Sequence, residues 1–182
     1  MLANHLFLTG YRGCGKSVVG QQLAISLCRK FIDTDMAIES FSGKTIAEIF
    51  AEVGQEGFRN LEAEQIEKLA LLSESAVISL GGGAILRPEN RKWICSLGST
   101  VWLQAQPETI HRRIANDLTT QARRPKLSTL GDLEEIRTIL EQRIPLYHEV
   151  ADLVVSTDDR TMNDVASLIE NWYRNPQRSA ST

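Results

Sequence analysis

Long apolar runs are missing from this chain, and no segment approaches the ~20 apolar residues that a membrane span needs. The start, Met1 to Gly10, has no basic stretch before its apolar run, and that run is short for a signal peptide. Cysteine is scarce. Cys14, Cys28 and Cys95 lie far apart and form no CxxC pair, which fits a reducing compartment better than a disulfide framework. His5, His111 and His148 are equally scattered and have no zinc-ligand spacing. A large charge excess is absent too. The net charge of −3 over 182 residues argues against a chain built to coat nucleic acid or an anionic membrane. Internal repeats and low-complexity segments are also lacking. These absences predict a cytoplasmic protein with no nucleic-acid and no membrane partner, and a monomer is the expectation.

What is present is ordinary globular usage, with 42% apolar and 24% charged residues. The length suits one domain with a sizeable core, expected over 1–174, followed by a frayed polar tail over 175–182. Short apolar runs alternate with helical patterns, as in an α/β fold with a parallel sheet between helices. Strands are expected at Leu6–Thr9, Phe31–Asp33, Val77–Leu80, Thr100–Leu103 and Leu153–Val155. Helices are expected from Lys16, from the Thr45-Ile-Ala-Glu48 capping box, and over Glu56–Leu72. Further helices are expected from Pro88 to Leu97, Pro107 to Asn116, Asp132 to Tyr147 and Asn163 to Tyr173. Between the helices Pro107–Asn116 and Asp132–Tyr147 lies a patternless polar stretch from Asp117 to Gly131, and loops of that length are usually functional or disordered. Trp102 reads as core packing, and Trp93 and Trp172 as contacts between helix and sheet.

The strongest motif is Gly10-Tyr-Arg-Gly13-Cys-Gly15-Lys16-Ser17, which satisfies G-x-x-x-x-G-K-[ST] between a predicted strand and a predicted helix. Glycines let the backbone curl so that amides point at phosphate oxygens, and the following helix N-terminus adds its positive end. Lys16 then bridges the β- and γ-phosphates, and the Ser17 hydroxyl becomes a Mg2+ ligand. The nucleotide contacts fall on Gly13, Cys14, Gly15, Lys16, Ser17 and Val18. A base-reading N-K-x-D is absent, which disfavours a GTPase, and the short chain favours a small-molecule kinase using ATP and Mg2+.

Four weaker features sit at strand ends, where open α/β sheets bind ligands. Asp33-Thr-Asp35 follows the second strand, and on an extended segment both carboxylates would face one way. One would serve Mg2+ or the acceptor's proton, the other substrate hydroxyls; alone, the motif reads as readily as a solvated turn. Gly81-Gly82-Gly83 permits close backbone approach, or is a flexible turn. Arg59, one turn before Glu62, suits a carboxylate fork held by that glutamate, and Arg143 has the same potential. Taken singly, each arginine reads more readily as a solvated helix face.

Together and in this order, these motifs resemble the shikimate kinase family. The likeness rests on Gly10–Ser17, Asp33-Thr-Asp35, Gly57-Phe-Arg59-Asn-Leu-Glu62, Gly81–Gly83, Arg124-Pro125 and Arg143-Ile-Pro-Leu-Tyr147, and spans about residues 5–172. It implies a three-layer P-loop fold with a five-stranded parallel sheet, a substrate-binding segment near 34–62 and a mobile lid near 117–131. It also implies the reaction of ATP with the 3-hydroxyl of shikimate, a step of chorismate and aromatic amino acid biosynthesis. By the same resemblance, shikimate contacts fall on Asp35, Arg59, Gly82 and Arg143. Asp33 falls near Mg2+ and the attacking hydroxyl, and Arg124 is the lid arginine that closes on the phosphates. Lys16, Asp33 and Arg124 form the catalytic set, with Ser17 and Asp33 on the metal. Arg113 is the candidate for adenine, with Arg112 beside it as the alternative, and Arg123 shares in the lid. The chain departs from the family where Lys126-Leu127 follows Arg124-Pro125, since the family usually has Leu-Leu there. A gluconate kinase, a nucleotide kinase and a nucleotide-binding regulator without catalysis are the competing readings.

Overall fold

The structure is a computed structural model that describes residues 4–116 and 132–175. Five strands form one parallel sheet: β1 (His5–Thr9), β2 (Lys30–Asp33), β3 (Ala76–Ser79), β4 (Gly98–Gln104) and β5 (Leu153–Ser156), in the order β2-β3-β1-β4-β5. β1 is central, pairing Phe7 with Ile78 of β3 and with Thr100 of β4, so both of its neighbours are parallel. All five of its residues are buried, including His5. That is why it reads as a continuous apolar run with no alternation.

Seven helices flank the sheet among the described residues: α1 (Lys16–Ser26), α2 (Thr34–Ser42), α3 (Ile46–Leu69), α4 (Pro88–Leu97), α5 (Pro107–Ala115), α6 (Asp132–Val150) and α7 (Met162–Arg174). Successive strand residues point to opposite faces, and β1 displays the consequence. Leu8 faces Gly20 of α1, where an added Cβ would sit 3.2 Å from its Cδ1. His5, an odd number of positions away, turns to the other face, where its Nε2 lies 3.2 Å from the Leu69 carbonyl of α3. Trp102 of β4 is buried and stacks on Tyr147 of α6 with ring centroids 5.2 Å apart.

Local signals explain most boundaries. Thr45 caps α3 with the reciprocal pair expected of it: its hydroxyl accepts from Glu48 N at 3.3 Å, and the Glu48 carboxylate accepts from Thr45 N at 2.7 Å. Thr161 and Asp164 repeat the device at α7. The two helices expected over 45–72 form one assigned element, broken at Gly54 with φ 68° and ψ −175°, a conformation that suits glycine. A second, smaller apolar cluster of Ile38, Ile46, Ile49 and Phe58 joins α2 to α3, apart from the main core.

Three expectations need correction. α2 was not anticipated: Asp33 is its N-cap, accepting from Asp35 N and Met36 N, so Asp33 and Asp35 do not alternate along an extended segment. Trp93 is 39% exposed on α4 rather than buried between helix and sheet. Trp172, by contrast, packs against the main core as expected. Pro145 lies inside α6, which runs on to Val150, past the expected end at Tyr147. The expected lid (117–131) and tail residues 176–182 lie outside the described residues.

Candidate active site

The loop after β1 has the geometry of a phosphate cradle. Gly13 and Gly15 take φ of 79° and 96°, values that side-chain-bearing residues rarely adopt, and Gly15 leads directly into α1. Such a backbone lets loop amides converge on an anion at the N-terminus of α1, where the helix dipole favours negative charge. The Lys16 ammonium folds over the loop, donating to the carbonyls of Gly10 (2.8 Å) and Tyr11 (3.0 Å). Cys14 is buried beneath the loop, while Ser17 and Val18 open α1 with exposed side chains. The Ser17 hydroxyl donates to Asp33 Oδ2 at 2.8 Å, so the two oxygens expected at the metal already meet.

On the other side of the loop lies a cavity lined by Tyr11, Arg12, Asp35, Phe58, Arg59, Gly82 and Arg143, with Glu62 behind Arg59. Four of the expected acceptor residues thus meet there: Asp35, Arg59, Gly82 and Arg143. Neither arginine is a solvated helix face. Arg59 is ion-paired with Glu62, and their side chains are only 11% and 2% exposed. Burial pushes the Glu62 carboxyl above its ordinary range, and the Arg59 guanidinium is the main opposing influence. Arg143 reaches from α6 to donate to Gly82 O at 2.7 Å. The neighbouring Tyr147 hydroxyl is pushed well above its usual range by burial.

The triple glycine has a steric cause. None of the three has positive φ. A Cβ on Gly81 would run into the Asp35 and Glu62 carboxylates, and one on Gly83 would run into the Arg59 guanidinium. Gly82 alone has room, with Arg143 Nη1 at 3.7 Å from such a Cβ. Gly81 N is committed to Thr34 Oγ1 (2.8 Å), and the same hydroxyl donates to Ser79 O (3.3 Å). Thr34 therefore ties the glycine turn to the start of α2, and with it to Asp35.

At the far end of the cradle, Arg113 of α5 donates to Thr157 Oγ1 (2.9 Å), Thr157 O (2.7 Å) and Gly13 O (3.5 Å). Arg112 points outward and is exposed. Of the two adenine candidates, only Arg113 reaches the phosphate loop. Arg123, Arg124 and Lys126 lie outside the described residues. Sequence reasoning overlooked Tyr11, Arg12, Ile46 and Phe50, which also line the acceptor cavity. Tyr11 and Arg12 occupy wildcard positions of the motif, so no pattern pointed to them. The capping box at Thr45 was the only available hint that Ile46 and Phe50 sit on a helix facing inward.

The model of the family described as "Shikimate kinase" matches residues 12–173. A shikimate kinase of Rhodopirellula baltica is 43% identical over 165 residues, covering 91% of this chain and 88% of the relative. One from Symbiobacterium thermophilum is 41% identical, covering 96% of this chain and 99% of the relative. Among solved structures, shikimate kinase from Acinetobacter baumannii in complex with shikimate superposes with a TM-score of 0.88 at 32% identity, covering 96% of this chain and 95% of that one.

Proposed function

The chain belongs to the shikimate kinase family, and we propose that its acceptor cavity clamps the shikimate carboxylate between Arg59 and Arg143 while the phosphate loop presents ATP. It is an ATP-dependent kinase that converts shikimate to shikimate 3-phosphate. The observation that carries the residue assignment is the meeting of two guanidiniums from different helices, Arg59 of α3 and Arg143 of α6, at one cavity beside the cradle. Guanidinium forks match a carboxylate bidentately, and Glu62 holds Arg59 in its aim. Asp35, buried on the same cavity, takes the ring hydroxyls, and Gly82 leaves the room that the ring needs.

Phosphoryl transfer passes through a loose transition state, so positioning and charge neutralisation do most of the work. Lys16 neutralises charge on the β- and γ-phosphates, exchanging its bonds to the Gly10 and Tyr11 carbonyls for bonds to phosphate. Ser17 and Asp33 together offer hard oxygen donors suited to Mg2+, which would offset the charge of the phosphates when bound. Asp33 orients the attacking 3-hydroxyl and accepts its proton late. Its place as N-cap of α2 supports this by fixing the carboxylate's direction. Arg113 packs at the nucleotide end, and Arg124, in the segment 117–131, closes as the lid arginine and excludes water.

In this reading the chain is a single kinase domain over 1–174 whose substrate-binding segment is 34–62, and the separate apolar cluster of α2 and α3 supports such a subdivision. It works as a cytoplasmic monomer without nucleic-acid or membrane partners. Its three thiols are free, and among the described residues no helix is long and apolar enough to cross a membrane. The test is ADP release from Mg·ATP with shikimate, gluconate, AMP, CMP or no acceptor. ADP formed with shikimate alone is expected. Preference for gluconate or a nucleotide would retain the phosphate chemistry and sink the carboxylate clamp.

A further inference from the structure

Among the described residues three guanidinium groups line the acceptor cavity, and two have an anionic or carbonyl partner: Arg59 is held by Glu62, and Arg143 by the Gly82 carbonyl. Arg12 is the third. Its side chain bonds the Tyr11 hydroxyl, but among the described residues it pairs with no carboxylate, and its Nε, like that of Arg59, is buried without a hydrogen-bond partner. Its guanidinium carbon lies 5.9 Å from the centroid of the Tyr11 ring, and that of Arg143 lies at the same 5.9 Å from the same ring. A buried donor without a partner, on a cavity shared with two other cations, is a costly arrangement that an anion would relieve.

The position of Arg12 indicates which anion. It belongs to the loop that cradles the donor's phosphates, yet its side chain lines the acceptor cavity. Its backbone N comes to 3.8 Å from where a Cβ on Gly82 would stand, at the seam between the two halves of the site. Lys16, by contrast, is turned onto the loop's own carbonyls. The acid group of the acceptor is already provided for by Arg59 and Arg143. What remains for Arg12 is the group that crosses the seam.

We propose that Arg12 is a further substrate-contacting residue, whose guanidinium meets the phosphoryl group from the acceptor side and binds the phosphate ester of the product. The inference rests on the shikimate reading of the cavity. Unphosphorylated shikimate offers Arg12 no anion, so on the acceptor side Arg59 and Arg143 hold shikimate, and Arg12 joins them on shikimate 3-phosphate. A planar fork of donors suits phosphate oxygens. Arg12 therefore sets how much more tightly product binds than substrate, and so contributes to the rate of product release.

The test is calorimetric titration of wild type, R12M and R12K with shikimate, shikimate 3-phosphate and ADP, each alone. Losing a charge-assisted bond should weaken shikimate 3-phosphate binding to R12M by about tenfold or more. Shikimate and ADP affinities should hold, and R12K should recover part of the loss. Equal weakening of shikimate and its phosphate, or no change in either, would overturn the role of Arg12 and leave the carboxylate clamp intact. Failure of the wild type to bind shikimate would sink the clamp and this inference together. If R12M loses ADP affinity through damage to the loop, R12K decides the question. Full wild-type discrimination between shikimate and its phosphate in R12K, with ADP bound normally, would count against the planar fork.

Discussion

Replacing Gly83 by alanine puts a methyl group against the Arg59 guanidinium. The new Cβ would lie 2.6 Å from Nη2 and closer still to Nη1 and Cζ. Carbon atoms in contact prefer about 3.5–4.0 Å, so the guanidinium must withdraw by roughly 1 Å or more. The backbone at Gly83 is not left-handed, and the obstructing atoms end a flexible side chain, so the turn itself survives. The aim of Arg59 does not. A displaced fork loses one of its charge-assisted bonds to the acceptor carboxylate, worth about 1.5–3 kcal/mol. At 1.4 kcal/mol per decade, the acceptor KM should rise about 10- to 100-fold. The KM for ATP should stay near wild type, because Arg59 lines the acceptor cavity and not the cradle. A coupled assay of ADP release, with each substrate varied in turn, reads both constants, and a thermal melt should shift by no more than a few degrees. Gly82→Ala is the contrast for guanidinium displacement alone: its Cβ would meet Arg143 Nη1 at an ordinary 3.7 Å, so a rise in acceptor KM there would report lost room for the ring. An unchanged acceptor KM in Gly83→Ala, or equal rises for both substrates, would refute the steric account of the triple glycine.

Other substitutions probe the donor side and the clamp. Lys16→Ala should lower turnover by about two decades or more in the same assay, and near-normal activity would break the cradle argument. Asp33→Asn keeps an oxygen for the α2 amides but loses the charge, so turnover should fall well beyond about tenfold. A smaller loss counts against proton acceptance by Asp33. Arg59→Ala and Arg143→Ala should each raise the acceptor KM far more than that of ATP, and matched rises would show the clamp to be misassigned. The sheet carries a pH prediction of its own. His5 Nδ1 accepts from Ala76 N at 3.1 Å, leaving Nε2–H to donate to Leu69 O, so the ring is needed neutral. Burial, the chief cause, holds its pKa below the ordinary 6.5. The unfolded chain therefore takes up a proton that the folded chain refuses as pH falls through 6.5, and stability is lost in that window and kept above it. Urea midpoints at about pH 7.5 and 5.5 should differ less in His5→Gln than in wild type. Equal differences would remove His5 as a cause.

What the sequence discloses, and what it withholds, follows from the range of each interaction. The cradle is legible because its requirements are local: positive φ at Gly13 and Gly15, a cation, then a hydroxyl, all within eight consecutive positions. The Thr45 capping box is legible for the same reason. α2 is also a local feature and is not legible, because Asp33 reads as an extended residue serving a ligand when it first serves as a helix cap. One carboxylate has two uses there, and the pattern of residue types does not separate them. The arginines mark the opposite limit. As isolated helical residues, Arg59 and Arg143 are indistinguishable from surface charges such as Arg137, which is paired at the surface with Glu108 and Glu134. Only packing separates them, through the burial of Glu62 against Arg59 and the reach of Arg143 across 61 positions to Gly82. Arg12 is hidden for a third reason. The cradle leaves its position free, since the loop binds phosphate through backbone there, and so the side chain is available to the other half of the site. A wildcard in a phosphate-binding motif is thus unconstrained toward the nucleotide only, and in this chain its neighbours Gly82 and Arg143 constrain it from the acceptor side.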